Sequence, residues 1–132
     1  MAGYSGTPLA RKLAIKEGQV VAVLGAPEGW EVPDLPDAVQ VRTDLRRRPD
    51  TLLAFVRSQA DLARLHQRLV EALDATAGLW IVWPRKAGGH VSDVTEQSLR
   101  DRFLPTGLVD VKVAALDEDW SGLRFVWRKD RR

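Results

Sequence analysis

Residues 51–84 read TLLAFVRSQADLARLHQRLVEALDATAGLWIVWP, and this stretch decides the fold. Thr51 to Arg57 is a near-continuous apolar run, too short for a helix and matching a strand buried on both faces. Between Ser58 and Asp74, Leu62, Leu65, Leu69 and Leu73 recur at helical spacing, which predicts a helix of about four turns with one apolar stripe. His66 flanks that stripe. Ala77-Gly78 ends the helix, and Gly78 to Pro84 is a second fully buried run. Strand, helix, strand is the unit of a parallel sheet, because parallel neighbours need a crossover that a helix normally supplies.

Towards the N-terminus, Gln19 to Gly25 is another β-branched run and predicts a central strand. Before it, Pro8 opens a helix carrying Leu9, Leu13 and Ile15, which Gly18 stops. After it, Pro27, Pro33 and Pro36 limit any crossover helix to a turn or so. Val39 to Thr43 is a short second strand. Asp44 to Asp50 is a short return to the third, where a parallel crossover normally takes a dozen or more residues. Extended chain at about 3.3 Å per residue can cover the distance without a helix; an antiparallel or barely paired second strand is the other solution.

Towards the C-terminus, a Gly-rich loop from Arg85 to His90 leads to Asp93-x-x-Glu96, which resembles a capping box opening a helix over Thr95 to Leu104. Leu108 to Ala115 and Gly122 to Arg128 alternate, with Val109, Val111 and Val113 on one face and Leu123, Phe125 and Trp127 on another. Separated by Trp120-Ser121-Gly122, they predict an antiparallel hairpin. The expected architecture is α/β: a single small Rossmann-like three-layer domain over residues 1–132 with a mostly parallel sheet.

With no cysteine, thiol nucleophiles, disulfides and thiolate metal sites are excluded. The longest apolar runs fall far short of the roughly 20 residues of a membrane helix, and Met1 to Lys12 lacks the order of a signal peptide, so a cytoplasmic location is the expectation. Lys+Arg 20 against Asp+Glu 18 gives no general basic field. Arg46, Arg47 and Arg48, and the tail Arg128, Lys129, Arg131 and Arg132, read as solvated charge; nucleic acid is not the expected partner.

The order of TLLAFV at 51–56, LVEALDATAGLWIVWP at 69–84 and GLVDVKVAALDEDWSGLRFVWR at 107–128 resembles the C-terminal half of a class I S-adenosylmethionine-dependent methyltransferase. That resemblance implies strand order 2-1-3-4-6-5 with an antiparallel last strand. GYSGTPLARKL at 3–13, APEGW at 26–30, WPRK at 83–86, GLVDVKV at 107–113 and DEDWSGL at 117–123 together resemble an uncharacterised bacterial family of small domain-of-unknown-function proteins, with no activity to carry over.

In methyltransferases a Gly-rich turn after strand one lets the backbone approach the cofactor, and an acid after strand two holds the ribose. Here the turn is Leu24-Gly25-Ala26-Pro27-Glu28-Gly29, lacking the middle glycine and one N–H, while Asp44 stands where the ribose acid would be. Nucleophilic catalysis is poorly supplied, because His66 and His90 have no carboxylate partner visible in sequence. Two histidines without cysteine also argue against a zinc site. Asp117, Glu118 and Asp119 read as a solvated turn. Trp80 reads as core, and Trp83 as the last residue of its strand, where open α/β sheets place ligands.

The residues expected to converge there for ligand binding are Gly25, Pro27, Glu28, Gly29, Trp30, Ser58, Trp83, Arg85 and Lys86, with Tyr4, Ser5 and Thr7 of the N-terminal arm folding over them. No catalytic or metal-binding residue is expected. The reading is a non-catalytic methyltransferase-like module for a small ligand or protein partner, without a cofactor and with homo-oligomerisation open. The alternative is a minimal S-adenosylmethionine- or nucleotide-dependent enzyme; a weak nucleic-acid binder is third.

Overall fold

A computed structural model describes residues 7–131. In chain order the elements are α1 (Leu9–Lys12), β1 (Val20–Leu24), β2 (Gln40–Arg42), β3 (Thr51–Phe55), α2 (Gln59–Glu71), β4 (Gly78–Pro84), α3 (Glu96–Phe103), β5 (Leu108–Ala115) and β6 (Trp120–Trp127). They form one six-stranded sheet of order β2-β1-β3-β4-β6-β5, parallel from β2 to β4 and antiparallel at β6. Among the described residues, no helix is long and apolar enough to cross a membrane.

The direction of β2 is settled. It runs parallel to β1, with Val20 opposite Gln40 and Ala22 opposite Arg42. The chain returns to β3 without a helix, and Leu45 packs on the core during the return. Only three residues pair, so β2 is a minimal edge strand.

The first helix is shorter than its apolar spacing predicts. Ala14 adopts φ 60, and the amides of Ala14 and Ile15 close back on the carbonyls of Arg11 and Ala10 at 3.0 Å each. This pair of bonds is a Schellman closure with alanine where glycine is usual, so the helix ends well before Gly18. The closure turns Leu13 and Ile15 into the core.

The cap of α3 is also corrected. Thr95 Oγ1 accepts from Ser98 N at 3.0 Å and Ser98 Oγ accepts from Thr95 N at 2.9 Å, a reciprocal box two residues further on than Asp93-x-x-Glu96. Asp93 instead accepts from Gln59 N at 2.8 Å, tying this segment to the start of α2. In the hairpin, Trp120 to Gly122 belong to β6, and the reversal is made by Leu116 to Asp119. Asp117 Oδ1 accepts from Asp119 N and Trp120 N to fix that turn.

The two faces of the sheet are covered unequally. On one, Leu52, Ala54, Leu79, Ile81 and Phe125 meet Leu62 and Leu69 of α2 and Leu99 and Phe103 of α3. On the other, Val21, Leu53, Phe55, Trp80 and Val82 meet Ala10, Leu13, Ile15 and Val32, from the segment around the short helix and the irregular segment after β1, and Leu116 of the hairpin turn, with Trp30, Leu35 and Trp120 packed at the margin. Trp80 is fully buried there and donates its indole N–H to Leu13 O at 3.0 Å. Gly122 makes room for the ring, since a Cβ there would lie 2.9 Å from Trp80 Cε3. At the far edge, β5 carries a bulge between Asp110 and Lys112.

Candidate functional site

The connection leaving β1 covers the thinly clad face, whereas α2, which follows β3, covers the other. Adjacent strands therefore send their chains to opposite sides, and a crevice is expected at their carboxyl ends. The protein closes that crevice with its own groups. Gly25, at φ +73, lies so near β3 that a Cβ would sit 2.9 Å from Phe55 O. Arg57 Nη1 donates to Gly25 O at 3.1 Å, and its guanidinium lies 5.3 Å from the ring centroid of Trp120. Trp30, Phe55 and Trp120 meet edge to face at 4.8 and 4.9 Å. Trp30 Nε1 donates to Asp117 Oδ2 at 3.1 Å, and Arg85 Nη1 to Asp117 O at 2.9 Å.

Beside this network the chain leaves a space. Residues 25–39 cross from β1 to β2 without a helix, and a cavity of about 480 Å³ lies between them and the sheet. Val21, Val23 and Val41 floor it; Ala26, Pro27, Trp30, Val32 and Leu35 wall it, with Gly25, Gly29, Glu28, Glu31 and Thr43 completing the lining. It occupies the footprint that a crossover helix would fill with side chains. Asp34 and Ala38 in the same segment adopt φ 54 and 62, left-handed values uncommon outside glycine.

Of the residues singled out in the sequence, Gly25, Pro27, Glu28, Gly29 and Trp30 come together in this cavity. Trp83 and Lys86 lie instead along a shallow depression with Ser92, Val94 and Thr95, and Trp83 is only 9% exposed within the helix-covered core. Ser58 caps α2, its hydroxyl accepting from Asp61 N at 3.1 Å. Arg85 is drawn to the hairpin turn, and Thr7 is exposed ahead of α1. Tyr4 and Ser5, and with them the proposed arm, fall outside the described residues. Sequence reading places Arg57, with Ser58 and Gln59, at this edge, where the structure finds it bonded to Gly25 O; it missed Asp117 and Trp120. Their signal was the Asp-Glu-Asp-Trp run, which fixes a turn and delivers a ring to the sheet's end.

Asp44 is engaged through Oδ1 in its own turn. Its carboxylate accepts from Arg46 N at 3.0 Å and from Arg42 Nε at 3.4 Å, and the Arg46 amide first, then the Arg42 charge, hold it below the ordinary carboxylate range. His66 stacks on Phe103 at 5.1 Å with Nδ1 buried and unpartnered among the described residues. Burial, with Arg102 adding to it, pushes its imidazole below the usual 6.5. His90 does gain a carboxylate, with Nε2 2.9 Å from Asp119 Oδ1, but both side chains are open to water. No group of His, Asp or Glu among the described residues is arranged to hold a metal ion. The arginine run is partly tied down: Arg47 donates to Gln40, and Arg48 donates to Glu71 O and pairs with Asp74 at the end of α2.

The fold is that of the S-adenosylmethionine-dependent methyltransferases. A SAM-dependent methyltransferase from Aquifex aeolicus superposes with TM-score 0.57 at 12% identity, over 89% of this chain and 86% of that one. DhpI in complex with SAH gives TM-score 0.57 at 12% identity, over 92% and 83%. The ribosomal protein L11 methylase from Lactobacillus delbrueckii subsp. bulgaricus gives 0.55 at 10%, over 92% and 75%. No protein-family model matches the sequence, and no curated protein matches it.

Within this methyltransferase fold, groups at the positions where the resemblance places the cofactor are already engaged or altered. Gly25 O accepts from Arg57, Pro27 offers no N–H, and Asp44 Oδ1 accepts from both Arg46 and Arg42.

Proposed function

We propose that the protein is a non-catalytic module on the methyltransferase fold that binds a small ligand in the cavity under the β1 to β2 connection. The observation that carries this is the cavity itself: about 480 Å³ with mostly apolar walls, within the roughly 300 to 1,000 Å³ of small-molecule sites. The occupied polar groups at the cofactor positions support a binding role over methyl transfer. Titration calorimetry with S-adenosylmethionine and S-adenosylhomocysteine is expected to give no low-micromolar binding, about −8 kcal/mol. Native mass spectrometry of protein purified from cells is expected to reveal a retained small molecule. A low-micromolar complex with either cofactor form would replace this reading with the enzyme.

A further inference from the structure

We infer that the cavity's ligand is a small organic cation, an amine on an apolar body; this rests on the binding role proposed above and adds its chemical class. Among the described residues, Glu28 and Glu31 are the only ionisable ones in the lining, and both are exposed. Asp117, outside the lining, gives its carboxylate to the Trp30 indole N–H and to the amides of Asp119 and Trp120. The two nearby cations are directed elsewhere, Arg57 to Gly25 O and Trp120, Arg85 to the Asp117 carbonyl. An anionic ligand would therefore meet carboxylates without a side-chain cation in the lining. An ammonium group would meet two carboxylates and an aromatic ring, the combination that attracts organic cations. The valines at 21, 23 and 41 suit an apolar body.

The carboxylates are exposed, so the charge preference is modest and screened by salt. At up to about fivefold per exposed pair, two carboxylates give a preference of roughly tenfold at low ionic strength.

Three probes sharing one ring separate the questions: tryptamine, neutral 3-methylindole and indole-3-acetate, followed by NMR at the amides of Gly25 and Gly29 and the indole N–H of Trp30. Tryptamine is expected to bind about tenfold more tightly than indole-3-acetate, with 3-methylindole between and the gap closing as salt is added. The Glu28→Gln, Glu31→Gln double variant is expected to abolish the gap and leave 3-methylindole binding unchanged. Equal binding of all three probes, or a preference that survives the double variant, overturns the cation assignment and leaves the ligand-binding role standing. If none of the three shifts these resonances, the cavity is not a ligand site and both readings fall.

Discussion

Replacing Gly25 by alanine tests the joint between β1 and β3, and Gly29 supplies the control. Both glycines have positive φ, +73 and +81, so alanine meets the same backbone penalty at each, about 1 to 2 kcal/mol. They differ in their surroundings. A Cβ on Gly29 would have nothing within 4 Å, whereas one on Gly25 would stand 2.9 Å from Phe55 O. That oxygen belongs to the last residue of a strand hydrogen-bonded on both sides, so it cannot swing away as a side chain would. Forcing an extra carbon into such a contact adds about 1 to 3 kcal/mol. Gly25→Ala is thus expected to lose about 2 to 5 kcal/mol and Gly29→Ala about 1 to 2 kcal/mol, out of a total that for a domain of this kind is about 5 to 15 kcal/mol. Urea unfolding reads the difference directly: with m of about 1 to 3 kcal/mol/M, the Gly25 variant should lower the midpoint by about 0.3 to 3 M beyond the control. Equal midpoints in the two variants would mean that β1 does not approach β3 as described.

Two further outcomes follow from packing and charge. Trp80→Ala empties the largest fully buried side-chain site and leaves Leu13 O without its donor; the expected loss is about 4 to 6 kcal/mol, against about 2 to 3 for Trp80→Phe, which loses the same donor but keeps much of the bulk, and thermal melts distinguish the two. Arg100, bonded to Asp110 at 2.8 Å, holds that carboxyl below its ordinary 3.8. A lowered folded pKa stabilises above the unfolded value and is lost as pH falls through the folded one, so Asp110→Asn should flatten the decline of stability below about pH 4, seen in urea midpoints at pH 7 and pH 3.

The parts of the fold legible in the sequence are those where local and long-range signals agree. β4 was read residue for residue because Gly78 and Pro84 bound a run buried on both faces. The end of α1 was not, because alanine takes the left-handed position there and a Cβ gives no warning of it. Asp93-x-x-Glu96 and Thr95-x-x-Ser98 share a spacing, and the partner that decides between them, Gln59, is remote in sequence. The prolines after β1 announced a missing helix, and that inference held. Whether the irregular segment then filled the space, or left a cavity walled by Val32 and Leu35, depends on packing against β1 and β2 that no local pattern encodes. Trp83 shows the same limit: its place at the strand's end was readable, its burial under α3 was not.

The bulge in β5 has a consequence for how the molecule behaves at high concentration. An eight-residue strand at the rim of a sheet is a template on which a second chain can add, and here Val111 and Val113 stand about half exposed along it. The register break between Asp110 and Lys112 divides that rim into two short rails that no straight incoming strand can follow together. Lys112 then ties the second rail to the end of α1 by donating Nζ to Lys12 O at 2.9 Å. The molecule thus keeps its rim valines while denying them the continuous ladder that fibril growth requires.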